Sequence, residues 1–121
     1  MCPVEAKLFP GYPNYYASYD GRVWSEKNKK FLEPRYNMKG YFQVRLYKKG
    51  LSKGKRFLVH RIIAISWIPN PENKPIVNHS DEYIFNNAVP NLCWMTEMEN
   101  REYSRLMKLK RAEELNKEVP F

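Results

Sequence analysis

His79 is the residue around which a chemistry can be built. It stands in the polar run Val77-Asn78-His79-Ser80-Asp81, while the second of the two histidines, His60, lies in an apolar stretch. An imidazole with an ordinary pKa of about 6.5 is largely unprotonated near neutral pH and can take a proton from water. Downstream follow Asn86-Asn87, Asn91-Leu92 with Trp94 and Thr96, and then Asn100. A lone histidine beside asparagines is more often a surface residue than a base, and what sets His79 apart is the spacing of Asn91 and Asn100. Asn86-Asn87 taken alone reads as a turn, because asparagine tolerates left-handed backbone. His60 reads as a packed or backbone-bonded histidine rather than a ligand.

Several elements must position these side chains. The capping box Thr96 with Glu99, followed by Tyr103, Leu106 and Met107 at helical spacing, predicts a helix that starts at Thr96 and carries Asn100 in its first turn. Leu92 and Trp94 read as core residues of a strand, with Cys93 on its opposite face. Pro69, Pro71 and Pro75 end any regular element before Val77 and make a linker or hinge there. The segment 59–67 is ambiguous: its β-branched residues favour a buried strand, whereas Val59, Ile62, Ile63 and Trp67 share one helical face. Further upstream, Phe42, Val44 and Leu46 alternate with Gln43, Arg45 and Tyr47, the period of a half-buried strand, and Arg56 to Val59 returns as its partner. Tyr19-Asp20-Gly21-Arg22 reads as a hairpin tip between Tyr15–Ser18 and Val23–Ser25. These strands together predict one N-terminal antiparallel meander.

The 121 residues suffice for a single domain with a modest core. No apolar run approaches the roughly 20 residues needed to cross a bilayer, and the first residues have no signal-peptide pattern, so a cytoplasmic chain is expected. Cys2 and Cys93 form no C-x-x-C pair, which argues against a disulfide scaffold or a zinc knuckle and fits a reducing compartment. The net charge of +8 is unevenly spread. From Arg22 to Arg61 there are thirteen Lys and Arg against two Glu, whereas from Ile62 to Asn100 only Lys74 opposes five acidic residues. A basic half interleaved with tyrosines suits a phosphate backbone, since cations displace condensed counterions and aromatic faces pack on sugars or bases. A solvated basic surface explains the charge about equally well.

The constellation Asn78-His79, Asp81, Asn86-Asn87, Asn91-Leu92, Trp94, Thr96 and Asn100 resembles the HNH endonucleases of the phage and intron-homing kind. Val59-His60-Arg61 resembles the segment preceding the motif in those enzymes, and Pro10-Gly11-Tyr12 through Ser18, with Gly21-Arg22-Val23 and Ser25, resembles their common N-terminal module. The likeness covers residues 8 to 100. It implies an α+β fold: an N-terminal antiparallel β meander, a helix around His60 to Trp67, and a C-terminal ββα-metal finger. It also implies a basic DNA-binding module over 1–58 and a nuclease module over 59–112, while the loss of apolar spacing past Glu113 predicts a mobile tail over 113–121.

The resemblance further implies metal-dependent hydrolysis of phosphodiester bonds in double-stranded DNA, by nicking or double-strand cleavage. His79 would be the base, Asn91 the residue that ties the two strands of the finger, and Asn78 and Asn100 the donors to Mg2+ or Mn2+. Such hard cations suit oxygen ligands. Some family members carry aspartate at the position of Asn78, and a neutral amide holds a divalent ion less tightly. Asp81 is expected to bond a loop amide or His79, and Arg101 to contact the scissile phosphate. Arg22, Lys39, Arg45, Lys48, Arg61 and Arg101 are the candidate DNA contacts. No membrane partner is expected, and a monomer or a homodimer is compatible with one strand cut per site. A phage or mobile-element origin, with action inside a bacterial host cell, follows from the same likeness. The alternatives are a catalytically weak or inactive HNH-derived DNA-binding or regulatory protein, and a basic structural protein with no nucleic-acid partner.

Overall fold

The structure is a computed structural model and describes residues 2–118, with side chains described through residue 115. Among the described residues the chain forms nine strands and two α-helices, with one short 3₁₀ turn. The N-terminal strands make two sheets rather than the single meander expected. β1 (Ala6–Leu8), β2 (Tyr15–Ser18), β3 (Val23–Ser25) and β4 (Lys30–Phe31) form one antiparallel sheet in sequence order. β5 (Arg35–Tyr36), β6 (Phe42–Leu46) and β7 (Lys55–Leu58) form a second. Pro34 stands at the break, where its missing N–H would interrupt a continuing ladder. β1, β4 and β5 are two or three residues long, too short to show any alternation in the sequence.

The ambiguous segment is a helix, α1 (Val59–Trp67), which begins directly after β7. Its β-branched residues tolerate the helix because the packing around them outweighs intrinsic propensity. Ile62, Ile63 and Ala64 are fully buried, and α1 packs against strands of both sheets and against the C-terminal hairpin. It is the central element of the core, with Ala17, Val23 and Leu46 around it. Cutting Ile62 or Ile63 back to alanine would cost about 2–5 kcal/mol, the usual range for such a cavity. The two tryptophans that flank this core satisfy their indole N–H groups on backbone oxygens. Trp67 donates to Ala17 (2.7 Å) and Trp94 donates to Ile68 (3.0 Å).

After the proline-rich loop come β8 (Ile76–His79), a 3₁₀ turn (Val89–Asn91), β9 (Leu92–Met95) and α2 (Glu97–Glu118). β8 and β9 pair antiparallel, with Asn78 opposite Cys93 and His79 opposite Leu92. Thr96 is the cap of α2 rather than its first residue. Its hydroxyl accepts from the Glu99 amide (3.1 Å), and the Glu99 carboxylate accepts from the Thr96 amide (3.0 Å). The helix continues to Glu118, past Glu113 where the apolar spacing ends. Lys, Arg, Ala, Glu and Leu are strong helix formers and sustain it without a buried face. For the expected mobile tail, residues 119–121 lie outside the described residues.

Candidate active site

His79 closes β8 and is 6% exposed. Its ring lies in a small aromatic cluster, with the His60 ring edge-on at 5.0 Å between centroids and the Tyr41 ring stacked at 6.1 Å. His60 is packed, as its sequence setting suggested. Burial, with the nearby charges of His79 and Arg61 adding to it, pushes the His60 pKa down to about 4. His60 is therefore neutral near pH 7 and puts no positive charge of its own beside His79.

The Nε2 of His79 lies 2.8 Å from the Oδ1 of Asn87. An amide oxygen can only accept, so in this arrangement Nε2 carries the proton and Nδ1 keeps the lone pair. No group among the described residues bonds Nδ1. Among the described residues the only fully buried side-chain nitrogen or oxygen without a partner is Nδ2 of Asn78, so Nδ1 of His79 is not fully sealed from solvent although the residue is only 6% exposed. An imidazole held by one nitrogen, with the other free to accept, has the geometry a general base requires.

The loop between β8 and β9 is closed by Asn91, which is 9% exposed. Its oxygen accepts from the Asp81 amide (3.0 Å), while its Nδ2 donates to Oδ1 of Asp81 (2.9 Å) and to the carbonyl of Asn86 (2.8 Å). Its carbonyl accepts from the Ser80 amide (2.8 Å). Asn91 thus joins the end of β8 to the start of β9 through the loop. Asp81 bonds loop groups and not His79: its carboxylate also accepts from the Tyr83 amide (2.8 Å) and the Asn86 side chain (2.8 Å). The Asn86 bond, with the other donors, holds the Asp81 carboxyl below the usual carboxylate range.

Three contacts set α2 beside this hairpin. Lys74 pairs with Glu99 (3.0 Å), the Tyr103 hydroxyl donates to the Ser80 carbonyl, and Arg111 pairs with Glu82 (3.3 Å). Asn100 follows Glu99 and precedes Tyr103 by three positions, so it lies on the side of the helix that meets β8, between contacts to residues 74 and 80. The helix α2 packs against both β8 and β9.

The metal expected from the family fits this donor set in one specific respect. The Asn78 amide has a buried end with no hydrogen-bond partner. A half turn about the terminal bond exchanges its nitrogen and oxygen, and a cation would satisfy the oxygen that such a turn presents. The Asn100 side chain makes no hydrogen bond among the described residues and is half-buried. Among the described residues no group of three His, Cys, Asp or Glu could hold a metal.

The candidate DNA contacts fall into distinct settings. Arg22 is paired with Asp20 (2.6 Å) and stacks on Phe31 (3.7 Å), which lowers the Asp20 carboxyl pKa. Arg61 donates to the Pro75 carbonyl (2.7 Å). Lys48 stands over the Tyr12 ring (4.6 Å). Lys39 and Arg61 line an open cavity of about 550 Å3 with Tyr41 and His60, beside the ring cluster. Arg101 is exposed and has no acidic partner among the described residues. Arg45 lines a groove of about 560 Å3 with Lys30, Arg35 and Arg56, where β4 and β5 meet β6 and β7. The last three were part of the basic block in the sequence but could not be singled out, because the break between the sheets brings them together.

Two side chains that bond at this site escaped the sequence reading. Asn87 passed for a turn former, and Tyr103 for part of an apolar helical stripe. The signal for Asn87 was a second carboxamide within the loop that His79 opens.

Several known proteins are similar to this chain. The NUMOD4 motif matches residues 7–47. The DNA endonuclease I-HmuI of Bacillus phage SP01 is 38% identical over 100 residues, covering 82% of this chain and 56% of that protein. The H-N-H endonuclease F-TflII of Escherichia phage T5 is 33% identical over 97 residues, covering 78% of this chain and 49% of that one. An uncharacterised HNH endonuclease of Acanthamoeba polyphaga mimivirus is 38% identical over 87 residues, which is 72% of this chain and 26% of that one. In structure, the chain is similar to the HNH homing endonuclease I-HmuI, solved in work on its DNA binding and cleavage, with a TM-score of 0.78 and 34% identity. That similarity covers 94% of this chain and 67% of the other. The chain belongs to the HNH endonuclease family. It spans between about a quarter and about half of the length of the curated relatives it matches. Among the described residues no helix is long and apolar enough to cross a membrane.

Proposed function

We propose that the chain hydrolyses phosphodiester bonds of double-stranded DNA, with His79 as the base. The observation that carries this reading is the setting of His79: one ring nitrogen held by Asn87, the other open, and the unpartnered amide of Asn78 next to it in sequence. Nδ1 of His79 takes a proton from water as its oxygen attacks phosphorus, and the bond from phosphorus to the 3′ oxygen breaks. Asn91 keeps the hairpin closed so that the ring holds its place. Oδ1 of Asn78 and Oδ1 of Asn100 would hold the cation, for which magnesium, or manganese in its place, suits oxygen donors. When bound, that ion neutralises the charge developing on the leaving oxygen.

Arg45 with Lys30, Arg35 and Arg56 on the groove wall, and Lys39 near the ring cluster, hold the DNA backbone; Arg101 reaches for the scissile phosphate. One site cuts one strand, so a monomer nicks, and a double-strand break needs a homodimer or two visits. The likeness to phage enzymes supports a homing-type nuclease of a phage or mobile element, acting within a bacterial cell. A second reading, a DNA-binding protein with little or no cleavage, is favoured by the neutral donor set.

Supercoiled plasmid incubated with magnesium or manganese tests the two. Nicking that disappears in His79→Ala supports the enzyme. DNA binding at low salt, with equal or no nicking in both proteins, supports the second reading.

A further inference from the structure

The β2–β3 hairpin tip lies in the segment that charge and resemblance assign to DNA binding, yet it touches the loop that holds His79. Gly21, at the tip, has φ +94°, and a Cβ there would lie 2.4 Å from the carbonyl carbon of Asn87, 2.6 Å from its oxygen and 2.7 Å from the nitrogen of Ala88. These are backbone atoms and cannot swing aside, so the approach demands glycine on both conformational and steric grounds. Beside it, the Val89 amide donates to the Tyr19 carbonyl (2.9 Å). The hairpin tip therefore grips residues 87–89 at two backbone points. Asn87 between them is 4% exposed and turns its amide oxygen to Nε2 of His79.

We infer that Gly21 and Tyr19 seat Asn87, and that Asn87 fixes the tautomer and orientation of His79, so that the N-terminal module is a positioning part of the active site as well as a hold on DNA. The physical reason is that an imidazole without a fixed partner distributes its proton over both nitrogens and rotates about χ2, and each alternative removes the lone pair from the reacting position. Asn87 is a positioning residue, since it touches the base and not the substrate. The inference rests on the reading of His79 as the base, but its central observable does not.

The test uses the full chain labelled with 15N in histidine, which gives signals from only His60 and His79. His79→Ala assigns them, and the measurement is made at a pH where both rings are neutral. In the wild type His79 is expected as the Nε2–H tautomer. Asn87→Ala is expected to mix the two tautomers and to lower kcat for plasmid nicking by about tenfold to a hundredfold with KM little changed, the range found when the hydrogen-bond partner that orients a metal-bound histidine is removed. Asn87→Asp keeps an acceptor and is expected to restore the tautomer. Gly21→Ala is expected to mix the tautomers without touching either side chain of the pair.

Should Gly21→Ala unfold the chain, Val89→Pro removes the amide that binds Tyr19, with Val89→Ala as the control for the partly buried side chain lost at the same time. Ala88 already has the extended ψ of 142° that a following proline requires. His79 keeping a single Nε2–H tautomer in Asn87→Ala, or in a folded Gly21→Ala or Val89→Pro chain, overturns the inference. A wild type that shows the expected tautomer pattern but nicks nothing supports the positioning and contradicts the nuclease reading alone.

Discussion

The ring of His60 stands edge-on to that of His79, with 5.0 Å between centroids, so the candidate base leans on a second imidazole that burial keeps uncharged. His60 has a pKa of about 4 in the folded chain against the ordinary 6.5. Between these values the unfolded chain binds the proton that the folded chain refuses, so stability is complete above pH 6.5 and falls as pH falls toward 4. By linkage the loss reaches about 3 kcal/mol at pH 4. Urea unfolding at pH 7, 5.5 and 4 should show this slope in the wild type and a flatter one in His60→Gln. Equal slopes would assign the acid sensitivity to other groups.

Asn91 closes the β8–β9 loop with bonds to Asp81 and Asn86. Asn91→Ala should cost about 2–4 kcal/mol, since several partly buried partners lose their bonds together. Asn91→Asp should do no better, because its carboxylate would face Asp81, whose carboxyl is already held in the charged form. Thermal unfolding of the two variants, with hydrogen exchange at the Asp81 amide, checks both statements.

The reciprocal cap between Thr96 and Glu99 fixes the turn of α2 that carries Asn100. Thr96→Ala should lower stability by about 1 kcal/mol, while Thr96→Ser should lose little. Glu99→Ala removes the pair with Lys74 as well, but that pair is exposed on the Glu99 side and adds little of its own. The helical content of the first turn, followed by amide exchange at Asn100, reads the effect. Protection unchanged in Thr96→Ala would show that packing alone holds the turn.

The groove lined by Lys30, Arg35, Arg45 and Arg56 and the paired Arg22 predict different salt dependences. Replacing Arg35 or Arg56 by alanine should reduce the slope of log K against log salt by about one and weaken binding to all sequences alike. Arg22→Ala should leave the slope almost unchanged, because Asp20 already neutralises that charge. DNA binding titrated at several salt concentrations separates the two cases.

The strands with a clear period or turn, β2, β3 and β6, were legible in the sequence, and so was the Thr96 cap, because each is a local pattern. Segment 59–67 was not, since β-branched residues and a helical face compete there and only the surrounding packing decides. The division into two sheets was hidden because β4 and β5 are too short to carry a period. In the site, His79, Asn91 and Asn100 stood out by type and spacing. The partnership of Asn87 with His79 and the contact of Gly21 with Asn87 join residues far apart in the chain, and no local pattern records them.

The central claim is that Asn78 and Asn100 bring their amide oxygens to one divalent cation beside Nδ1 of His79. A crystal of the protein with uncleaved DNA and manganese, measured for anomalous scattering, tests it most directly. The account predicts one manganese peak bonded to the side-chain oxygens of both asparagines and to a phosphate oxygen, with a water within hydrogen-bond reach of Nδ1. A manganese peak held by other residues, or none at an intact phosphate seated over His79, would contradict it.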